Sequence, residues 1–388
     1  MIIFVSDMFV ENYVGGAELT SEAIIKGSLV PIVKVNSMRI NQKMMEANKD
    51  KFWVFGNFSG LNDSIIMYAI KNLSYSVLEY DYKYCTFRSP EKHIAAHGEC
   101  NCHKERRGKL VSAFYKRAKK VWFMSENQRK VYLSKFSFLD NTTVLSSVFS
   151  DETLEYIKSL DTSKKNNKWI ILNSESWVKG RDAAVKIAQE QDLEYELVWG
   201  LEYKELLKKM AKSRGLIYVP VGADTCPRLT IEAKLLNCEM ILNENVQHKD
   251  EEWFINKNKL WPYLKERTSV FWSAMEELWN INTPKASIGE ESTFNFIVPF
   301  YNAGPWLKRC ITSIKRQAYS KYRCFLIDDL STDDSCDIIL REIDGDDRFK
   351  LIKNKTKRYA LGNIVQTIED NSTDNEDINI ILDGDDWL

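Results

Sequence analysis

Short runs of β-branched and aromatic residues, each followed by a stretch of helical periodicity, recur along most of this chain, and this alternation constrains its fold more than any other feature. The first series places strands at Ile2–Val5, Ile32–Val35, Phe52–Phe55, Ser76–Leu78, Val121–Met124 and Thr143–Leu145. A polar hinge from Asp161 to Lys168 precedes a second series, with strands at Trp169–Leu172, Glu196–Trp199, Leu216–Val219 and Met240–Leu242. Strands alternating with helices predict parallel sheets covered on both faces. Trp253 to Trp279 reads as aromatic-rich helix packing back onto the core. At 388 residues the chain exceeds one ordinary core. The expected organisation is α/β: Rossmann-like parallel-sheet domains at 1–160 and 161–282, a linker at 283–292, and a truncated α/β domain at 293–388.

Charge and composition narrow the function classes. The formal net charge is −1, from 54 basic and 55 acidic side chains, which argues against a nucleic-acid binder. No stretch approaches the roughly 18 apolar residues of a membrane span, so membrane contact has no support. Met1 to Phe9 reads as a buried strand carrying Asp7, without a basic region or cleavage site. A cytoplasmic protein is expected, its eight cysteines serving as thiols or metal ligands.

In the third series, Asn295 to Asn302 is an apolar strand expected to stop at Pro299, followed by a helix from Gly304 to Gln317. A second strand, Cys324–Ile327, ends in Asp328-Asp-Leu-Ser-Thr-Asp-Asp334, where Ser331 is placed to cap the next helix. A third strand, Ile378–Leu382, runs into Asp383-Gly-Asp-Asp386. Carboxylates at the carboxyl ends of parallel strands lie where α/β sheets bind ligands. Clustered carboxylates suit a hard cation, Mg²⁺ or Mn²⁺, bridging two phosphates.

These blocks, with Val298 to Asn302 and Arg358…Gly-Asn363 in the same order, resemble the family-2 glycosyltransferases over Thr293 to Leu388. The resemblance implies a GT-A fold, with Asp328 and Asp329 near the nucleoside of a sugar nucleotide. It implies Asp385 on the metal and diphosphate, and Asp383 contacting ribose or supporting the metal. In that family the acceptor site and catalytic base lie further on. The resemblance therefore implies a fragment that binds a donor without transferring from it.

Upstream, Gly15-Gly-Ala-Glu18 opens a helix. Gly15 and Gly16 let the backbone approach a ligand closely, and the helix N-terminus offers free N–H groups to an anion. The second series carries Trp177-Val-Lys-Gly-Arg181, then Asp224 and Glu232 within Pro220 to Ala233. Together these are similar to the family-4 glycosyltransferases, which have a two-domain GT-B fold. That resemblance implies Lys179 on the donor diphosphate, Glu232 on the ribose and Asp224 facing the sugar, with no metal. Ser174, Glu175 and Ser176 occupy the stretch where the family carries an Arg, a cation that Arg181 or Arg228 would have to supply.

Tyr84 to His103 holds Cys85, His93, His97, Cys100, Cys102 and His103. Thiolate and imidazole suit Zn²⁺, and four of these six would complete a tetrahedral structural site. The set named here is Cys85, Cys100, Cys102 and His103. The bland alternative is a polar loop with His93 and His97 on an exposed helical turn. Cys226 and Cys238 read as core thiols.

The expectation is a tandem glycosyltransferase taking a nucleotide-sugar donor and a glycan or glycolipid acceptor. The alternative is a degenerate GT-B scaffold that presents an incomplete GT-A domain.

Overall fold

A computed structural model describes residues 1–278, 292–317, 319–371 and 377–388. All but Ser292 of the expected linker, and Trp279 of the aromatic stretch, lie outside the described residues. The described strands are β1 (Ile2–Ser6), β2 (Ile32–Asn36), β3 (Phe52–Phe55), β4 (Ser74–Glu79), β5 (Val121–Phe123), β6 (Thr142–Val144) and β7 (Trp169–Leu172). They continue with β8 (Tyr195–Val198), β9 (Gly215–Tyr218), β10 (Glu239–Leu242), β11 (Phe294–Phe300), β12 (Tyr322–Asp328), β13 (Phe349–Lys353) and β14 (Ile378–Ile381). Every strand expected from the sequence is present, with ends shifted by a residue or two.

All described pairings are parallel, so every crossover needs a helix. The three sheets run β2-β1-β3-β4-β5-β6, β10-β9-β7-β8 and β13-β12-β11-β14. In each, the chain starts in the interior and builds outward on both sides. That creates a switch point at β1/β3, at β7/β9 and at β11/β14, where a crevice opens at the carboxyl ends. The fold is mixed α/β with parallel sheets.

Residues 1–281 form one compact unit that holds the first two sheets. One apolar core runs through both, from Ile2 and Phe4 to Ile170, Leu216 and Ile231. Hydrogen bonds join the halves: Thr225 Oγ1 donates to the Tyr80 carbonyl at 2.7 Å, and Ser147 Oγ to the Cys226 carbonyl at 2.8 Å. The long helix Lys257–Leu278 returns to the first half, as expected, packing Phe271 on Trp122 and donating from Trp272 Nε1 to the Ile24 carbonyl.

Residues 282–388 form a second compact unit, cored by Phe296, Val298, Leu307, Ile311, Leu326 and Phe349. Pro299 does not end its strand, which continues to Phe300. Its carbonyl accepts from Gly384 N at 3.3 Å, and its ring nitrogen faces the same way, past the last β14 partner, Ile381. Ser331 caps no helix: its hydroxyl accepts from Asn302 N at 2.9 Å, joining the β11 and β12 loops.

Candidate functional sites

At the carboxyl ends of the first two sheets lies a cleft of about 720 Å³, lined by both halves of the first unit. The first half contributes the start of the helix Gly16–Lys26, with Gly15 extended just before it. A Cβ on Gly15 would come within 2.5 Å of Glu18 Oε2, and one on Gly16 would meet Arg228 Cδ at 3.9 Å. The Gly15 position is crowded by the Glu18 and Tyr13 side chains of its own segment, whereas Gly16 faces Arg228 of the opposite wall at ordinary contact distance.

That wall is built by the turns after β7 and β9. The turn Trp177–Lys179 is followed by Gly180 at φ +68°, where a Cβ would lie 2.0 Å from the Val219 carbonyl oxygen. Lys179 Nζ pairs with Asp224 Oδ2 at 2.7 Å, and the Tyr218 hydroxyl donates to the same oxygen at 2.5 Å. Burial alone would raise the Asp224 carboxyl, yet the Lys179 charge and these bonds hold it below the ordinary range. Burial opposes the Lys179 charge in turn, and Asp224 raises it. The Asp224 backbone is fixed by bonds to Asn245 O and from Gln247 N.

One helical turn further, Arg228 and Glu232 form a buried pair, with Nε 3.3 Å from Oε1. The Tyr203 hydroxyl donates to Glu232 Oε1 at 2.7 Å. Arg228 also donates to the Val148 carbonyl and stacks on Phe149, its Cζ 3.6 Å from the ring centre. Glu18 faces this cleft, and burial pushes its carboxyl above the usual range. Lys179, Asp224, Glu232, Gly15 and Gly16 therefore come together, as the sequence led one to expect. Arg181 does not: it is absent from the cleft lining and pairs with Asp182 at 2.8 Å. Its place in the first turn after Gly180 turns it outward, and Arg228 is the arginine in the cleft. Tyr203 and Tyr218, which hold the two acids, carry no motif that would single them out.

In the second unit, the β11 and β12 loops are laced together. Asn302 Oδ1 accepts from Thr332 N at 2.8 Å, and Gly304 N donates to Asp333 Oδ2 at 3.2 Å. Asp328 Oδ1 accepts from Ser331 N at 2.8 Å. Asp329 is buried and accepts from Arg358 N at 2.8 Å, Asn354 Nδ2 at 2.9 Å and Tyr359 N at 3.0 Å. Burial would raise this carboxyl, but those donors hold it below the ordinary value. Three of its roughly four acceptor positions are taken, so in this state it anchors the 354–359 loop. Asp383, Asp385 and Asp386 stand exposed after β14, at the switch point with β11. Gly384 is buried between them, where a Cβ would lie 2.5 Å from Phe300 Cβ.

Cys85, His93, Cys100 and Cys102 are, among the described residues, the one set of three or more metal-type ligands whose donor atoms all lie within 4.8 Å of one another. His103 is not part of it. The helix Pro90–His97 carries His93 inward, whereas His103 follows Cys102 in a short turn and its ring packs toward Phe136. Helical placement of His93 and exposure of His97 match the bland expectation only in part, because His93 reaches the thiols. Cys226 and Cys238 are buried thiols.

Residues 295–388 match the sequence profile of Glycosyl transferase family 2. No curated protein matches the chain. Among solved structures, TarS 1–349 from S. aureus in complex with UDP is similar over 24% of this chain and 28% of its own, at 21% identity and a TM-score of 0.21. An alpha-glucosyltransferase in complex with UDP aligns over 69% of this chain and 90% of its own, at 8% identity and a TM-score of 0.39. HepE from Anabaena, in complex with UDP and glucose, aligns over 74% and 98%, at 10% identity and a TM-score of 0.42.

Proposed function

We propose that this chain is a nucleotide-sugar-dependent glycosyltransferase of tandem organisation, with one donor site in the cleft of residues 1–281 and a second in residues 293–388. The observation that carries the reading is the convergence, in one cleft, of a helix N-terminus behind Gly15–Gly16 with the Lys179–Asp224 and Arg228–Glu232 pairs. A donor diphosphate would take the N–H groups of that helix end and draw Lys179 from Asp224. Glu232, held by Tyr203 and Arg228, would accept from the ribose hydroxyls, leaving Asp224 toward the sugar. Lys179 and the helix dipole would stabilise charge developing on the departing diphosphate, so this site needs no metal.

The second site fits a divalent cation because its exposed donors, Asp383 and Asp385, are hard oxygens at a switch point. Mn²⁺ or Mg²⁺ held there would offset charge on the diphosphate. Asp328 and Asp329 would then serve the nucleoside, the latter by exchanging one of its loop donors. A glycan or glycolipid acceptor in the cytoplasm completes the proposal. Among the described residues, no helix is long and apolar enough to cross a membrane.

A second reading, a degenerate cleft kept as scaffold, is favoured by one feature. The lining holds six carboxylates, Glu18, Asp81, Glu175, Glu202, Asp224 and Glu232, against the cations Lys179 and Arg228. Nucleotide release from UDP-, GDP- and ADP-sugars by the full chain, with and without Mn²⁺, separates the two. Turnover in EDTA that drops at least about a hundredfold in Glu232→Gln supports the enzyme. Absence of turnover and of donor binding in EDTA makes the scaffold reading correct.

A further inference from the structure

The crossover from β4 to β5 runs from Tyr80 to Lys120, and four of its side chains, Cys85, His93, Cys100 and Cys102, converge. Cys85 lies in a tight turn just after the strand and is buried. Ser89 caps the helix Pro90–His97 by accepting from Lys92 N, and that helix presents His93. Gly98 ends the helix at φ +84°, returning the chain to Cys100 and Cys102. Gly108 seats the next helix, Arg106–Arg117, on the Cys102 turn, where a Cβ would lie 2.1 Å from the Cys102 carbonyl oxygen.

The donor atoms of these four groups all lie within 4.8 Å of one another, and two of the separations match the edges of a coordination tetrahedron while a third is shorter. Zn–S bonds of about 2.3 Å and a Zn–N bond of about 2.0–2.1 Å predict S···S edges of about 3.8 Å and S···N edges of about 3.6 Å. Cys85 Sγ lies 3.7 Å from Cys100 Sγ and 3.5 Å from His93 Nδ1, and Cys102 Sγ lies 3.0 Å from the same nitrogen. A disulfide would need two sulfurs at about 2.05 Å and would leave the third thiol and the imidazole without a role. Phe87 stacks on the His93 ring at 4.9 Å, fixing its plane. Only one residue separates Cys100 from Cys102, so the spacing matches no standard finger or ribbon.

We propose that Cys85, His93, Cys100 and Cys102 bind one Zn²⁺ as a structural Cys₃His site. Four protein ligands leave no open position, so the ion's task is folding rather than chemistry. Binding replaces the thiol protons by metal–sulfur bonds, with no change of oxidation state. The clasp fixes the segment that carries Asp81 and Arg88. Arg88 donates to Asn57 Oδ1 at 2.8 Å and to Asp81 Oδ2 at 2.7 Å, and it pairs with Asp7 Oδ2 at 3.4 Å. These partners follow β3, β4 and β1, so the ion braces one rim of the cleft without depending on what the cleft binds.

The test is metal analysis of the full chain purified under reducing conditions, followed by cobalt substitution. One zinc per chain is expected, and the Co²⁺ form should show visible d–d bands of a tetrahedral site together with thiolate-to-metal charge transfer. Cys100→Ser, Cys102→Ser and His93→Ala should each lose most of that intensity, while His97→Ala and His103→Ala keep it. Where a variant does not fold, modification of the thiols in the unaltered chain with a zinc-sensitive dye present tests the same point, with about one zinc released per chain expected. A chain that takes up neither zinc nor cobalt would overturn the proposal. Bands that survive Cys100→Ser and His93→Ala but vanish in His103→Ala would overturn the ligand set.

Discussion

At the scale of single residues, the cleft depends on charges that hold each other in place. Lys179→Met leaves Asp224 with Tyr218 as its remaining side-chain partner in a largely buried position. Breaking a fully buried pair costs about 3–5 kcal/mol, and because Lys179 is about a third exposed a loss of about 1–2 kcal/mol is expected. Urea unfolding measures it, and Lys179→Met with Asp224→Asn should recover part of the loss. An additive double mutant would mean that the two residues do not interact. His248 sets an acid limit of its own. Its ring is buried beside Thr230 and stacked on Trp253, and burial pushes its pKa down to about 3. Below the unfolded value of about 6.5 the unfolded chain takes up a proton that the folded ring refuses. Stability should therefore fall by about 1.4 kcal/mol per pH unit between about 6.5 and 3, and His248→Gln should flatten that slope. An unchanged slope would show that His248 is already protonated in the fold. That Lys179, Asp224 and Glu232 share one cleft was expected from the family resemblance of residues 177–181 and 220–233. The arginine was not, because Arg181 stands two residues from Lys179 and Arg228 four from both Asp224 and Glu232, and only the fold shows that Arg181 turns away.

At the scale of elements, tight turns after strands carry the site. Gly180 takes a left-handed conformation with the Val219 carbonyl against it, so Gly180→Ala meets both backbone strain and a clash. A loss of at least about 2 kcal/mol is expected in thermal or urea unfolding, since a left-handed non-glycine residue alone costs about 1–3 kcal/mol. A stability change below 0.5 kcal/mol, on the order seen at ordinary surface positions, would mean that this turn is not rigid. Strands were the most legible elements, because apolar runs between helical stretches leave few alternatives. Strand β13, Phe349–Lys353, was not anticipated: it is a short edge strand with a lysine near each end, which reads equally well as loop. The metal-type cluster was legible as a group but not in membership. Sequence proximity favours His103, and only the helix Pro90–His97 brings His93 back across eight residues to Cys85.

At the scale of the whole molecule, two compact units each carry their own core and their own sheet switch points. The division near residue 282 was visible in the polar composition around it. That the first two sheets share one core was not, because the contacts from Tyr80 to Thr225 and from Ser147 to Cys226 join residues 145 and 79 positions apart. The proposed function puts two donor sites of different chemistry on these units: one metal-independent, through Lys179 and a helix end, and one dependent on a divalent cation, through Asp385. Titration calorimetry of the full chain with UDP-, GDP- and ADP-sugars, in EDTA and then in Mn²⁺, tests this most directly. The account predicts binding in EDTA that is lost in Glu232→Gln, and an added component in Mn²⁺ that is lost in Asp385→Ala alone. No heat in EDTA with any of the three donors, in a chain that is folded by its unfolding curve, would contradict the cleft as a donor site.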